Sequence, residues 1–172
     1  MTAAASSGEP RSLVEPGERF GRRVRLDEAA IRAFSTAAGD LNPLHFDAAV
    51  ARAAGYPAIS ASGTHTASLF MGLTATHFSQ PAADGRAREV LGMGFELHLR
   101  APVFAGDELQ IDWRVSATHW KPRLNGWITE LDGDVRTARG AVLRGRATLL
   151  VRFPRACDAT EHFNEISQDV AQ

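Results

Sequence analysis

The chain has 172 residues, of which 44% are hydrophobic and 23% charged, figures that suit one packed domain or at most two small ones. Nineteen basic side chains stand against twenty acidic ones, a formal net charge of −1. That balance argues against a nucleic-acid coat or an anionic membrane surface as the main partner, while leaving room for a local phosphate-binding patch. Lys121 is the sole lysine, so the positive charge is almost all arginine. Cys157 is the single cysteine, which excludes an internal disulfide and a cysteine-rich zinc site. It follows the last strand pattern with no clear base beside it, the setting of an inert thiol. No apolar run approaches the ~18 residues of a membrane span. Met1 to Pro10 is small and polar, without the apolar core of a signal sequence, so a cytoplasmic chain is expected.

Residues 1–18, rich in Ala, Ser, Gly, Pro and Glu, read as a disordered or loosely docked lead-in. Residues 19–155 read as one domain, and residues 156–172 as a polar tail that frays or makes one short helix. From Asp27 to about Gln80 the pattern is helical. Asp27 caps a first helix with Ile31 and Phe34 on its apolar face, and Gly39 ends it. A polar loop, Gly39-Asp40-Leu41-Asn42-Pro43-Leu44-His45, leads to a short alanine-rich helix over about 47–54, broken by Gly55-Tyr56-Pro57. A third helix is expected over about 63–78 with Ser62 as its N-cap. It carries no Asp, Glu, Lys or Arg, only His65 and His77, and a helix without charges is one that others surround.

From Val90 the period changes to two. Leu91, Met93, Phe95, Leu97 and Leu99 alternate with Gly92, Gly94, Glu96, His98 and Arg100, and similar alternation runs through 109–116 and 143–153. These are long half-buried strands of one antiparallel sheet. Ala105-Gly106-Asp107 and Leu124-Asn125-Gly126 are turns. Asp132-Gly133 resembles a hairpin turn, but alternation from Trp127 to Val135 puts the turn at Arg139-Gly140 instead. Helices followed by long strands make an α+β protein, with the sheet wrapped around the uncharged helix.

Two stretches carry chemistry. Asp40 and His45 lie five apart outside regular helix, with Pro43 pushing Asn42 out of the helical region, so both can point into one cleft. An Asp–His pair sharing a water does general acid/base work; taken alone, such a spacing is more often a turn cap plus a structural histidine. Ser60-Ala61-Ser62-Gly63-Thr64-His65 opens the uncharged helix, where free backbone N–H groups stabilise negative charge and Gly63 lets a ligand approach. The ordinary use of that pattern is an N-cap with a glycine for tight packing.

The run Ala38-Gly39-Asp40-Leu41-Asn42-Pro43-Leu44-His45-Phe46-Asp47 resembles the hydratase signature of the MaoC-like dehydratases, which include the (R)-specific enoyl-CoA hydratases. Gly55-Tyr56-Pro57, the Ser62-Gly63-Thr64-His65 opening and Pro102-Val103-Phe104-Ala105-Gly106-Asp107 match as well, and the resemblance covers about residues 20–153. It implies a hotdog fold, a long antiparallel sheet around a central helix, and a homodimer with room for higher oligomers. It further implies reversible syn hydration of a trans-2-enoyl thioester to the (R)-3-hydroxyacyl thioester, a hydro-lyase reaction. On that resemblance Asp40 and His45 are catalytic, the Gly63 N–H forms the oxyanion hole, and Asn42, Ser62, Thr64 and His65 support the site or bind substrate. No metal or redox cofactor is implied; coenzyme A enters as part of the substrate. One departure is Ser62, where many members have histidine.

Phe70 and Met71 shape the acyl pocket or the core, and Trp113, Trp120 and Trp127 the core or a dimer interface. His98 and His119 lack a second ligand at metal spacing. Arg100, Arg114, Arg123, Arg144, Arg146 and Arg152 are candidates for phosphate contacts. The competing functions are a hotdog acyl-CoA thioesterase and a non-catalytic acyl-thioester-binding subunit.

Overall fold

A computed structural model describes residues 10–154; the remaining residues, Cys157 and the expected 156–172 tail among them, lie outside the described residues. The helices follow their local signals. α1 (Glu28–Ala38) begins where the Asp27 carboxylate accepts the Ala30 N–H at 2.8 Å, and ends at Gly39 with φ 69°. A single 3-10 turn over Pro43–His45 leads to α2 (Ala48–Ala53), whose first amides donate to Asp47. α3 (Gly63–Phe78) has the bounds its pattern predicts. Ser62 stands at its N-cap position, but its hydroxyl does not cap the helix and is used elsewhere.

The sheet has five strands: β1 (Arg19–Arg25), β2 (Glu89–Leu99), β3 (Glu108–Lys121), β4 (Gly126–Thr137) and β5 (Gly140–Arg152). All neighbours are antiparallel, in the order β1-β3-β4-β5-β2. β4 runs straight through Asp132-Gly133, and the chain reverses at Gly140, φ 121°. β1 was not among the predicted strands. Its inward residues are Phe20, Arg22 and Val24, and an arginine on the buried face hides the alternation; the Arg22 guanidinium donates to the Leu69 carbonyl of α3 at 3.3 Å.

α3 lies across the concave face of the sheet. Phe70 is wholly buried and stacks on Trp113 at 3.8 Å between centroids, while the Trp113 indole N–H donates to the Phe70 carbonyl at 2.9 Å. This close approach depends on two glycines that face each other across β4 and β5, Gly133 and Gly145. A Cβ added at Gly133 would lie 2.5 Å from the Trp113 ring and 2.6 Å from the Asp112 carbonyl oxygen. One added at Gly145 would lie 2.7 Å from Leu97 and 2.9 Å from Phe70. The glycines leave a saddle in the sheet, and the aromatic pair fills it.

Two expectations change. The lead-in is packed over its described part: Leu13 and Val14 are buried, and Arg86 donates to the carbonyls of Arg11 and Ser12 at 2.7 Å each. Glu18 meets His77 at 2.6 Å and Arg88 at 3.4 Å. Burial raises the Glu18 pKa, but the His77 hydrogen bond and the Arg88 charge outweigh it and hold the carboxyl below its ordinary value. One apolar pair in a polar segment is enough to dock it when the core end is otherwise open. The second change is in β2. Its apolar face was expected to be half-buried, yet Leu91, Met93, Phe95 and Leu99 are 43, 56, 37 and 58% exposed. β2 is an edge strand with a bulge between Gly92 and Gly94, so among the described residues no strand flanks its outer side.

Gly133→Ala is expected to cost about 1–3 kcal/mol through overpacking against main chain and indole. Gly72→Ala, in α3 with open space around the glycine, is expected to stabilise by roughly 0.5–1 kcal/mol. Urea denaturation of the two variants beside the wild type checks both signs.

Candidate active site

The loop after α1 is fixed residue by residue. Gly39 turns the chain in the left-handed region, and the Asp40 N–H donates to the Ser35 carbonyl at 2.9 Å, a helix-closing bond that fixes where Asp40 begins. Asn42 supports the loop: its side-chain oxygen accepts the Leu44 N–H at 3.1 Å, and its carbonyl accepts the His45 N–H at 2.9 Å. His45 is thereby carried inward and buried, while the Asp40 side chain stays about one-third exposed.

His45 Nε2 lies 3.2 Å from Asp40 Oδ2, and its Nδ1 lies 2.7 Å from the Ser60 carbonyl oxygen. A carbonyl only accepts, so Nδ1 carries a proton and Nε2 is the ring atom that faces Asp40. Nε2 and the carboxylate face each other at hydrogen-bond distance, so a proton can pass between them. The Ser62 hydroxyl is the first cause of a lowered Asp40 pKa, against a smaller opposing effect of burial; the Asn42 N–H and the His45 charge lower it further. The Asp40 carboxyl is therefore held below its ordinary value, with Ser62 itself held by Thr64 at 2.8 Å between hydroxyls.

The same strand of chain ties the loop to α3. Ser60 N–H donates to the Leu44 carbonyl at 2.9 Å, and Ala61 N–H to the Val103 carbonyl at 2.8 Å. This puts the first turn of α3 beside His45. Among the described residues the Gly63 and Thr64 amides have no acceptor. They are the open donors of a helix start, which favours negative charge. Gly63 lines a cleft of ≈ 260 Å³ with Ser60, Tyr56, Leu99 and Arg100. A side chain at Gly63 would strike Leu99.

The structure thus brings Asp40, His45, Ser62 and Gly63 together, with Asn42 and Thr64 in support. It does not bring His65 there. That ring is buried and turned toward α1, stacked on Phe34 at 4.3 Å, and burial holds its pKa down. Phe70, Trp113 and Trp127 are core residues. His98 is exposed on Glu96 at 2.9 Å, and among the described residues no three His, Cys, Asp or Glu side chains converge as a metal site would require. Sequence reasoning missed Ser60 and Leu99. A backbone carbonyl leaves no mark in residue type, and Leu99 reaches Gly63 only because β2 returns past the start of α3. A larger groove of ≈ 580 Å³ on the outer face of the sheet, around Arg114 and Asp112, holds none of these residues.

The profile described as "MaoC like domain" matches residues 12–126. The chain belongs to the MaoC-like family. A tomato (Solanum lycopersicum) mitochondrial 3-hydroxyacyl-[acyl-carrier-protein] dehydratase is 29% identical over 148 residues, 86% of this chain and 83% of the relative. The (R)-specific enoyl-CoA hydratase of Aeromonas caviae is 32% identical over 60% of this chain and 72% of its own length. Among solved structures, an A. caviae (R)-hydratase superposes with TM-score 0.67 at 28% identity, covering 82% of this chain and 98% of that one. A MaoC-like dehydratase from Rhodospirillum rubrum gives 0.64 at 32% identity, covering 84% and 96%. The MaoC-like chain therefore has the hotdog fold and belongs among hydratases and dehydratases, a hydro-lyase at the level of the family. No helix among its described residues is long and apolar enough to cross a membrane.

In Ser62→Ala the Asp40 carboxyl is expected to titrate closer to the ordinary aspartate value of 3.8 than in the wild type, where it lies lower. Carboxyl-carbon NMR measures this directly; an unmoved titration removes Ser62 as the cause.

Proposed function

We propose that this protein catalyses the reversible hydration of trans-2-enoyl thioesters to (R)-3-hydroxyacyl thioesters. The observation that carries the reading is the Asp40–His45 pair at 3.2 Å beside the open amides that begin α3. In this reading the thioester oxygen accepts from the Gly63 N–H, and the water is held against the Asp40–His45 pair. The pair takes a proton from the water as the oxygen bonds to C3. The double-bond electrons move toward C2 and the thioester carbonyl, where the amide stabilises the enolate-like charge. The proton is then delivered to C2, and the pair returns to its starting state. Water has been added with no atom left over. One oxyanion donor is typically worth ~3–4 kcal/mol. The steps need only an acid/base pair and hydrogen-bond donors, so the proposal invokes no metal or redox cofactor. Coenzyme A or a carrier protein enters as the handle of the substrate, and the cytoplasmic expectation belongs to the same proposal.

The proposal includes a homodimer joined at β2. An edge strand exposing Leu91, Met93, Phe95 and Leu99 is a surface that a second copy can pair with by two-fold symmetry. Leu99 also overlies Gly63, so the joined face borders the cleft.

With crotonyl-, octenoyl- and mesaconyl-CoA, at least one substrate should lose enoyl absorbance without releasing thiol. Thiol release would make the protein a thioesterase, and silence on all three would favour a binding role. Asp40→Asn and His45→Gln should each lower kcat by ~10²–10⁴ with folding retained; unchanged rates in both would sink the mechanism. Sedimentation should give twice the chain mass of 18.6 kDa, with Met93→Asp shifting the protein toward monomer; a monomeric wild type rejects the β2 interface.

A further inference from the structure

The described structure sorts the six candidate arginines. Arg152 is forked on Glu89 at 2.8 and 3.1 Å, and Arg146 is paired with Asp132 at 3.2 Å. Arg114 belongs to the outer groove on the β1 side of the sheet. Arg123 lies in the turn before Gly126, which pairs with Arg152, whereas the Arg100 N–H donates to the Val142 carbonyl. Those points on β5 are ten residues apart, so Arg123 and Arg100 stand at opposite ends of the sheet, roughly 30 Å apart at the rise of an extended strand.

Arg100 is different from the others. It lines the cleft that contains Gly63, and it also lines a second groove of ≈ 360 Å³ on the outer face of β2 and β5. Arg144 lines that second groove and pairs in register with His98, two residues before Arg100. Arg100, just past the end of β2, and Arg144 on β5 thus line the same groove. Neither has an ion pair among the described residues. The carboxylates of the groove are engaged, Glu96 with His98 at 2.9 Å and Asp132 with Arg146 at 3.2 Å. Arg100 is therefore common to the cleft of Gly63 and the groove of Arg144, and neither arginine has a carboxylate partner among the described residues.

We infer that Arg100, with Arg144 behind it, binds a phosphate on the handle of the thioester whose acyl end is at Gly63. This rests on the thioester reading above. A pantetheine arm is long and uncharged and ends in a phosphate ester, so a thioester seated at Gly63 carries its charge out of the cleft. Arginine is suited to receive it, since its planar fork matches phosphate oxygens. The phosphate is that of phosphopantetheine, shared by coenzyme A and carrier proteins, or one on the nucleotide of coenzyme A.

The test compares wild type, Arg100→Ala and the Arg100→Ala/Arg144→Ala double variant on four crotonyl thioesters: those of coenzyme A, a carrier protein, 4′-phosphopantetheine and phosphate-free pantetheine. KM for coenzyme A should rise about three- to tenfold in Arg100→Ala and further in the double variant, as expected of a solvent-screened charge pair. In both variants kcat should hold, and KM for pantetheine should not move. An equal rise with 4′-phosphopantetheine and carrier protein assigns the proximal phosphate; a rise with coenzyme A alone assigns its nucleotide. The same KM change on pantetheine, or no change on any handle, overturns the inference. Calorimetric titration of free coenzyme A reads the contact without turnover, with Kd weakened about three- to tenfold in Arg100→Ala. If the wild type hydrates nothing but this difference in Kd persists, the hydratase reading fails and the phosphate site stands. Equal Kd values in wild type and variant overturn the site.

Discussion

Phe70 sits where two adjacent strands have no side chains, and the rest of the structure depends on that contact. Gly133 and Gly145 leave the sheet locally bare, Trp113 closes one side, and its indole N–H grips the Phe70 carbonyl. A helix with no Asp, Glu, Lys or Arg can be enclosed in this way because it brings no charge that must be paired. The two histidines it does bring are treated differently. His65 is buried against Phe34 with a lowered pKa, while His77 keeps partial exposure and the Glu18 carboxylate.

Once α3 is fixed, its first turn has a fixed place, and the chemistry is assembled around it from short backbone ties. The Ser60 carbonyl accepts from His45 Nδ1, Ser62 lowers the Asp40 pKa, and among the described residues the amides of Gly63 and Thr64 are left as donors. Asp40 is carried by the closing turn of α1 and His45 by the 3-10 turn that Asn42 and Pro43 begin. The pair therefore depends on two helix ends and one extended tie. Neither group is carried by a long irregular segment, which is what the proposed hydration would need to hold one water in one orientation.

Much of the architecture was legible because its signals are local. Asp27, Gly39 and Asp47 mark helix ends through their own side chains or backbone freedom, and the alternation in 109–116 and 127–135 marks inward faces at period two. β1 was hidden because its inward face includes Arg22, whose guanidinium donates to the Leu69 carbonyl of α3. Leu13 and Val14 were two apolar residues in a polar stretch, and nothing local says that an open end of the core awaits them. The alternation of β2 marks an apolar face expected to be half-buried, but its exposure and its place at the sheet edge depend on strand order, which alternation does not encode.

For the site, the sequence by itself determined the types and spacing of Asp40, Asn42, His45 and Gly63, and with them the family and its class of chemistry. These are carried by loop and cap residues whose conformational needs are local. Only the tertiary structure decided that His65 turns away, that a carbonyl from Ser60 orients His45, and that Leu99 and Arg100, at and just past the end of β2 and 36 and 37 residues beyond Gly63, reach the opening of α3. Contacts of that kind are made by backbone atoms, or by residues far apart in the chain. Residue type at one position does not report them, because any sequence that bends the sheet around the helix in the same way brings the same backbone atoms together.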